Sequence, residues 1–277
     1  MRTSIAAELN RYRDKNSELV QVLNFYKEIF EIQESVRKKI GPTPLLDGAP
    51  AKLESGRFIL EGQPSSIDYA VFKETALEMS EAFSRQAGQP FPVADLLALP
   101  QLKPGNINNL AGDVLSNRVS YISDFAIGSG FNEETVFHFL HNLLIPFFQA
   151  RAEGYADIFE QAQWLKGICP YCGSQPRYAR FHYDDGRCFL FCPLCRSQWR
   201  FLRLCCPFCG NSDQKKLKHF HVGEDEAHQV DVCEVCHRYI KTTDERRLDK
   251  EVIPQVEDVA TMSLDYLAAR EGYHRDA

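Results

Sequence analysis

All ten cysteines of this 277-residue chain fall between residues 169 and 236. Eight of them form four Cys-x-x-Cys pairs: Cys169/Cys172, Cys192/Cys195, Cys206/Cys209 and Cys233/Cys236. Two intervening residues let one tight turn deliver both sulfurs to the same face of an ion. Two such turns complete the four-thiolate tetrahedral shell of a structural metal site. Pro170 and Pro207 stiffen two of the turns, and Gly173 and Gly210 follow them where a positive φ is needed. Nineteen residues separate Cys172 from Cys192, and 23 separate Cys209 from Cys233. Both gaps lie near the roughly 15–20 residues typical of a metal ribbon.

Each gap also carries a hairpin signal. Arg177–Tyr183 and Arg187–Phe191 are short, aromatic-rich runs flanking Asp184-Asp185-Gly186, and Trp199–Leu204 supplies a third strand. The pattern recurs as Leu217–Val222, the polar turn at 223–226, Gln229–Val232 and Arg238–Thr242. This is an internal repeat of 37 to 41 residues, read from the cysteine positions. Pairing the first turn with the second and the third with the fourth is favoured, because each couple brackets its own hairpin. A cross-braced arrangement, first with third and second with fourth, is the alternative. Either way the expectation is two metal ions per chain, with all eight paired cysteines as ligands.

The same residues admit other readings. Cys169-Pro-Tyr-Cys172 has the form of a glutaredoxin-type redox tetrapeptide, but there the first cysteine should cap a helix, whereas here a glycine and a hairpin follow. Cys188 and Cys205 remain outside the pairs. They read as small buried hydrophobes, with Cys205, beside Cys206, as an alternative ligand or redox-sensitive thiol. Five of the eight histidines (His182, His219, His221, His228 and His237) lie in this region. The thiolates already complete both shells, so these histidines are expected at the surface or outside the metal shell. Trp199, Phe201, Phe181 and Phe189 are expected to form the small apolar layer of a ribbon, whose folding should depend on its metal.

The remaining sequence reads as helix. Leu19–Val36 repeats apolar residues at helical spacing and stops at Gly41 and Pro42. Ser65 or Ser66 could cap a second helix running to about Ala87, and a third should span about Ile107–Ala126. Asn132 with Glu133 and Glu134 should start a fourth over Val136–Leu144, with Pro146 kinking it or beginning a new helix to Trp164. The tail, Val256–Arg270, puts Val256, Val259, Ala260, Leu264, Leu267 and Ala268 on one helical face. The expected organisation is therefore an α+β chain: a mostly helical domain at 1–164, metal ribbons at 165–204 and 205–248, and a helical tail at 249–277 that packs back on the body.

Composition bounds the function. A formal charge of −6, with 44% apolar and 25% charged residues, describes a globular protein and argues weakly against nucleic-acid binding. Between Gly167 and Arg247 there are 13 Lys/Arg against 10 Asp/Glu, a mild local bias. The apolar run at the start breaks at Glu8, short of the roughly 7–15 residues of a secretory signal. Phe137–Phe148 is too short to cross a bilayer. The expectation is a cytoplasmic protein with reduced thiols and no membrane insertion. No phosphate loop, nucleophile elbow or His-Glu-x-x-His helix is present, and thiolate-saturated sites leave no position for an activated water, so no enzyme activity is expected.

The cysteine region and tail resemble the formate dehydrogenase accessory protein (FdhE) family. The resemblance is carried by Cys169-Pro-Tyr-Cys172-Gly, Cys192-Pro-Leu-Cys195, Cys206-Pro-Phe-Cys209-Gly, Cys233-Glu-Val-Cys236, Arg238-Tyr-Ile-Lys and the closing Arg270-Glu-Gly-Tyr273. The first 160 residues or so match only in length and helical character. The resemblance implies that the two tandem modules are rubredoxin-like or zinc-ribbon-like, with iron or zinc as the ion. It also implies a bacterial maturation factor that binds the formate dehydrogenase catalytic subunit. Two other classes stand beside it: a rubredoxin-like electron-transfer module, and a zinc ribbon that binds nucleic acid.

Overall fold

A computed structural model describes residues 4–15, 17–41, 43–63, 66–115 and 120–275. The N-terminal part is helical: α1 Ile5–Lys15, α2 Val20–Ile40, α3 Ala49–Glu54, α4 Tyr69–Ala87, α5 Val93–Ala98, α6 Ile107–Leu115, α7 Ser120–Ser129, α8 Glu133–Ala152 and α9 Ala156–Gln161. Its apolar stripes meet at the centre. Leu23, Ile29 and Phe30 of α2, Phe72, Met79 and Phe83 of α4, and Phe139, Leu140 and Leu143 of α8 are all buried in one cluster. Aromatic rings lock that contact, with Phe139 edge-on to Phe83 at 5.1 Å and stacked on Phe91 at 4.4 Å.

Several boundaries differ from the sequence reading. Gly41, at φ +69, closes α2 with its N–H on the Arg37 carbonyl at 3.0 Å; Pro42 lies outside the described residues. Asp68, not Ser66, caps α4, accepting from the amides of Ala70 and Val71; Ser65 is also outside the described residues. Of the third expected helix, Ile107–Leu115 and Ser120–Ser129 are helical as α6 and α7, and residues 116–119 lie outside the described residues. Asn132 caps α8 as expected, accepting from the Thr135 amide at 2.7 Å. That helix then runs straight through Pro146 to Ala152. Proline cannot donate to the carbonyl four residues back. Here the orphaned Asn142 carbonyl accepts instead from Gln33 Nε2 of α2 at 3.0 Å, inside the core.

The cysteine region forms β1 Tyr178–Phe181, β2 Cys188–Phe191, β3 Gln198–Phe201, β4 Leu217–His221, β5 His228–Cys233 and β6 Tyr239–Asp244. Each repeat is an antiparallel three-stranded unit. The two units fuse into one six-stranded sheet of order β3-β2-β1-β6-β5-β4. The seam is the single parallel pair of that sheet, Tyr178 against Lys241 through Phe181 against Asp244. The first unit has no apolar layer of its own: Phe181, Trp199 and Phe201 join the same cluster as the helices. Phe189 instead faces out, under the guanidinium groups of Arg180 and Arg187.

A short α10, Glu245–Leu248, directly follows β6, and the tail stretch expected as one helix is two, α11 Pro254–Ala260 and α12 Met262–Arg270. Thr261 separates the last two, its hydroxyl donating to the Glu257 carbonyl at 2.6 Å. Leu264 and Ala268 pack with Val230, Val232 and Tyr239 as a second, small core beneath β5 and β6. Charge fixes the same contact. Lys241, fully buried on β6, pairs with Asp258 at 2.9 Å and Asp265 at 2.7 Å. Its ammonium is well compensated, as a buried charge must be.

Candidate metal centres

The structure brings the eight paired cysteines together in two groups, Cys169/Cys172/Cys192/Cys195 and Cys206/Cys209/Cys233/Cys236. Within each, the four sulfurs lie inside 4.8 Å of one another. The coupling is first turn with second and third with fourth, not cross-braced. In the first group Cys169 and Cys195 sulfurs are 3.4 Å apart, Cys172 and Cys192 3.5 Å, and Cys172 and Cys195 3.7 Å. In the second, Cys206–Cys236 and Cys209–Cys233 are both 3.7 Å. A tetrahedron with metal–sulfur bonds of about 2.3 Å has edges of about 3.8 Å, whereas a disulfide needs about 2.05 Å. The donor set and its dimensions fit a tetrahedral ion at each group.

Four equivalent turns build these sites. In each, the amide of the first cysteine donates to a carbonyl five residues on: Cys169 to Ser174, Cys192 to Ser197, Cys206 to Asn211 and Cys233 to Arg238, at 2.8 to 3.0 Å. The residue after the second cysteine is left-handed every time: Gly173 at φ +78, Arg196 at +60, Gly210 at +73 and His237 at +55. Two of these are the glycines noted in the sequence. The other two, Arg196 and His237, gave no clear sequence signal: arginine seldom adopts that conformation, and histidine, though enriched there, adopts it only in a minority of cases. No helix follows Cys172; the chain turns into β1, so the thiol does not sit at a helix N-terminus as a glutaredoxin-type cysteine would.

Polar groups close around the sulfurs. Ser174 Oγ lies 3.0 Å from Cys172 Sγ and Ser197 Oγ 3.1 Å from Cys195 Sγ; the Asn211 amide donates to Cys233 Sγ at 3.7 Å. Burial pushes the thiols of Cys169 and Cys195 well above their ordinary range. Burial also opposes ionisation of Cys192, but donors from the three neighbouring thiols and the Cys195 amide outweigh it and hold Cys192 low. Cys192 is thus the sulfur best prepared to be a thiolate, and burial of the other thiols means that a cation is needed to hold them ionised in this dry pocket.

The two sites differ in depth. All four cysteines of the first are buried, whereas Cys209 is exposed and Cys236 half-exposed in the second. The helical part seals the first. Ile59 and Leu60 amides donate to the carbonyls of Pro170 and Tyr171, each at 2.9 Å, and Tyr155 packs on Tyr171 with centroids 5.2 Å apart. The Phe58 ring sits so close over Gly173 that a Cβ there would come within 2.7 Å of it.

Cys188 and Cys205 belong to neither group. Cys188 is buried in β2, its thiol pushed up to about 12 by burial. Cys205 is half-buried, and both line one cleft of about 520 Å³ beside the second site. The histidines are not metal ligands by position. His228 departs from the expected surface placement: it is buried, 2.7 Å from Asp225 and 2.8 Å from Glu257. Desolvation works against its protonation, yet the two carboxylates raise its pKa overall.

Comparison with known proteins agrees with this geometry. The sequence profile of the FdhE C-terminal domain matches residues 204–277. A Protein FdhE homolog from Aquifex aeolicus is 29% identical over 270 residues, covering 94% of this chain and 88% of its own. The chain is similar to FdhE proteins along nearly its whole length. The Haemophilus ducreyi FdhE homolog is 25% identical over 94% of the chain and 82% of its own length. The crystal structure of the FdhE protein from Pseudomonas aeruginosa shares the fold, with a TM-score of 0.64 over 98% of this chain and 92% of that one at 20% identity. The likeness to FdhE thus extends over the helical part, where the sequence alone had carried little. Among the described residues, no helix is long and apolar enough to cross a membrane.

Proposed function

We propose that this protein is an accessory factor for the maturation of formate dehydrogenase, binding the catalytic subunit of that enzyme in the cytoplasm and catalysing no turnover of its own. The observation that carries the reading is the pair of complete four-cysteine sites in a fold shared along nearly the whole chain with FdhE proteins. Cys169, Cys172, Cys192 and Cys195 would hold one ion, and Cys206, Cys209, Cys233 and Cys236 a second, each iron or zinc. Such an ion supplies cross-linking of the four turns, and, if it is iron, a one-electron couple. The chain's own residues do the rest. The serine hydroxyls and turn amides hold the sulfurs in place, and the helices exclude water from the first site. Four sulfurs around each ion leave no open coordination position, which supports a binding role over a hydrolytic one.

A deletion strain complemented with wild type or with Cys206→Ser/Cys209→Ser tests it. The expected result is formate dehydrogenase activity and co-purification of the catalytic subunit with wild type only. The double variant loses the second ion, whose binding contributes on the order of 10 kcal/mol of coupled folding free energy. Normal formate dehydrogenase activity in the uncomplemented deletion strain would remove the accessory reading. Full complementation by the double variant would confine the function to the helical part.

A further inference from the structure

The internal repeat permits a comparison that the family likeness does not make. Position for position, the tips of the four turns are Tyr171 and Leu194 around the first site, and Phe208 and Val235 around the second. Tyr171 and Leu194 are 1% and 0% exposed: the turn beginning at Phe58-Ile59-Leu60 covers Tyr171, and both side chains lie in the core shared with the helices. Val235 is 56% exposed, and Phe208 is half-buried under the Arg238 guanidinium at the mouth of the cleft. Leu202, on the rim of the same cleft, is 52% exposed. At the second site Gly167 lies against the Pro207 carbonyl so closely that a Cβ would overlap it. The turn architecture that is capped by an apolar turn in the first module leaves the tip at Val235 uncovered in the second.

Charge defines what fits there. Arg203 and Lys218, both exposed on the cleft, make no ion pair among the described residues; Arg203 lies over the Phe181 ring at 4.3 Å. The one carboxylate lining the cleft, Asp231, is already engaged by Thr242 and by Gln229 at 2.6 Å. An occupant must bring apolar side chains for Leu202, Phe208 and Val235, and carboxylates for Arg203 and Lys218. A short peptide segment satisfies both, with main-chain polar groups free for the turn backbone as those of Ile59 and Leu60 are at the first site. We infer that the face of the second module formed by the turn tips at Phe208 and Val235 and the cleft rim at Leu202, Arg203 and Lys218 docks a short, acidic and apolar segment of a partner protein. It covers the second site as residues 58–60 cover the first. For the identity of the partner this rests on the proposed maturation role, and the docked segment then belongs to the formate dehydrogenase catalytic subunit.

The test uses the metal-loaded full chain and two probes. The first is the purified catalytic subunit, measured against wild type, Val235→Arg and the double variant Arg203→Glu/Lys218→Glu. All these side chains are exposed, so metal content and circular dichroism should match wild type. The expected result is at least a tenfold loss of affinity in each variant. Undiminished binding by both would overturn the docking face while leaving the maturation role intact. The second probe is a synthetic peptide, Asp-Phe-Ile-Leu-Glu, patterned on the capping segment with Asp replacing Arg57, titrated while backbone amide NMR shifts are followed. Shifts confined to residues 202–209, 217–218 and 234–236, and abolished in Val235→Arg, support the inference. No shifts at millimolar peptide, or shifts elsewhere, overturn it. Should wild type fail to bind the catalytic subunit, the maturation role falls, and the peptide result alone decides the docking face.

Discussion

Stripping the metal should separate the two sites in time. At the second site Cys209 is exposed, so a chelator reaches a ligand sulfur without rearrangement of the fold. At the first, no sulfur is reachable until the capping segment lifts off. That movement breaks the hydrogen bonds of Ile59 to Pro170 and Leu60 to Tyr171, at about 0.5–1.5 kcal/mol each. It also returns Tyr171 to water, at about 1.5–3 kcal/mol. The opening therefore costs about 2.5–6 kcal/mol, which slows release by about fiftyfold or more at 1.4 kcal/mol per factor of ten. Protein mixed with excess metallochromic indicator should give two phases of equal amplitude. Phe58→Ala together with Tyr171→Ala should accelerate the slow phase without changing the fast one. Release of both ions in a single phase would refute the reasoning, because it would mean that burial of the first site offers no protection.

Other outcomes follow from single contacts. Gln33→Leu should cost about 1–3 kcal/mol, since it leaves the buried Asn142 carbonyl without a donor. In a Pro146→Ala background, where the backbone N–H returns, that cost should fall by about 1 kcal/mol in urea unfolding; equal costs in both backgrounds would deny the compensation. His237→Gly should stabilise by about 0.5–1 kcal/mol, because a left-handed backbone is strained for histidine and not for glycine; a lower melting temperature would contradict this. His228 has a raised pKa in the fold, so its contribution is fully present below its unfolded value of about 6.5 and is lost as pH rises through the folded value. The urea midpoint should therefore fall over that rise, and His228→Gln should flatten the profile.

What could be read in advance follows the range of the interactions. The Cys-x-x-Cys turns and their hairpins are local, so spacing favoured the coupling of first turn with second and third with fourth over the cross-braced alternative, and the sulfurs of Cys169 to Cys195 and Cys206 to Cys236 assemble in the favoured pairing. The parallel seam of β1 on β6 joins residues about sixty positions apart, and nothing in either strand announces it. The passage of α8 through Pro146 depends on Gln33, which is invisible to a reading of the helix alone. Arg196 and His237 are left-handed because the turn around the sulfurs demands it, which neither residue type announces as a glycine would. The difference in depth between two sites of equal motif was likewise hidden. It arises from residues 58–60, a segment the cysteine pattern does not mention.

The central claim is that eight thiolates make two closed shells. Elemental analysis of metal against protein concentration, on protein purified without air and never reconstituted, tests it most directly. The account gives two ions per chain, four cysteine sulfurs to each, and the same measurement names the element. A reproducible value of one ion per chain would contradict it.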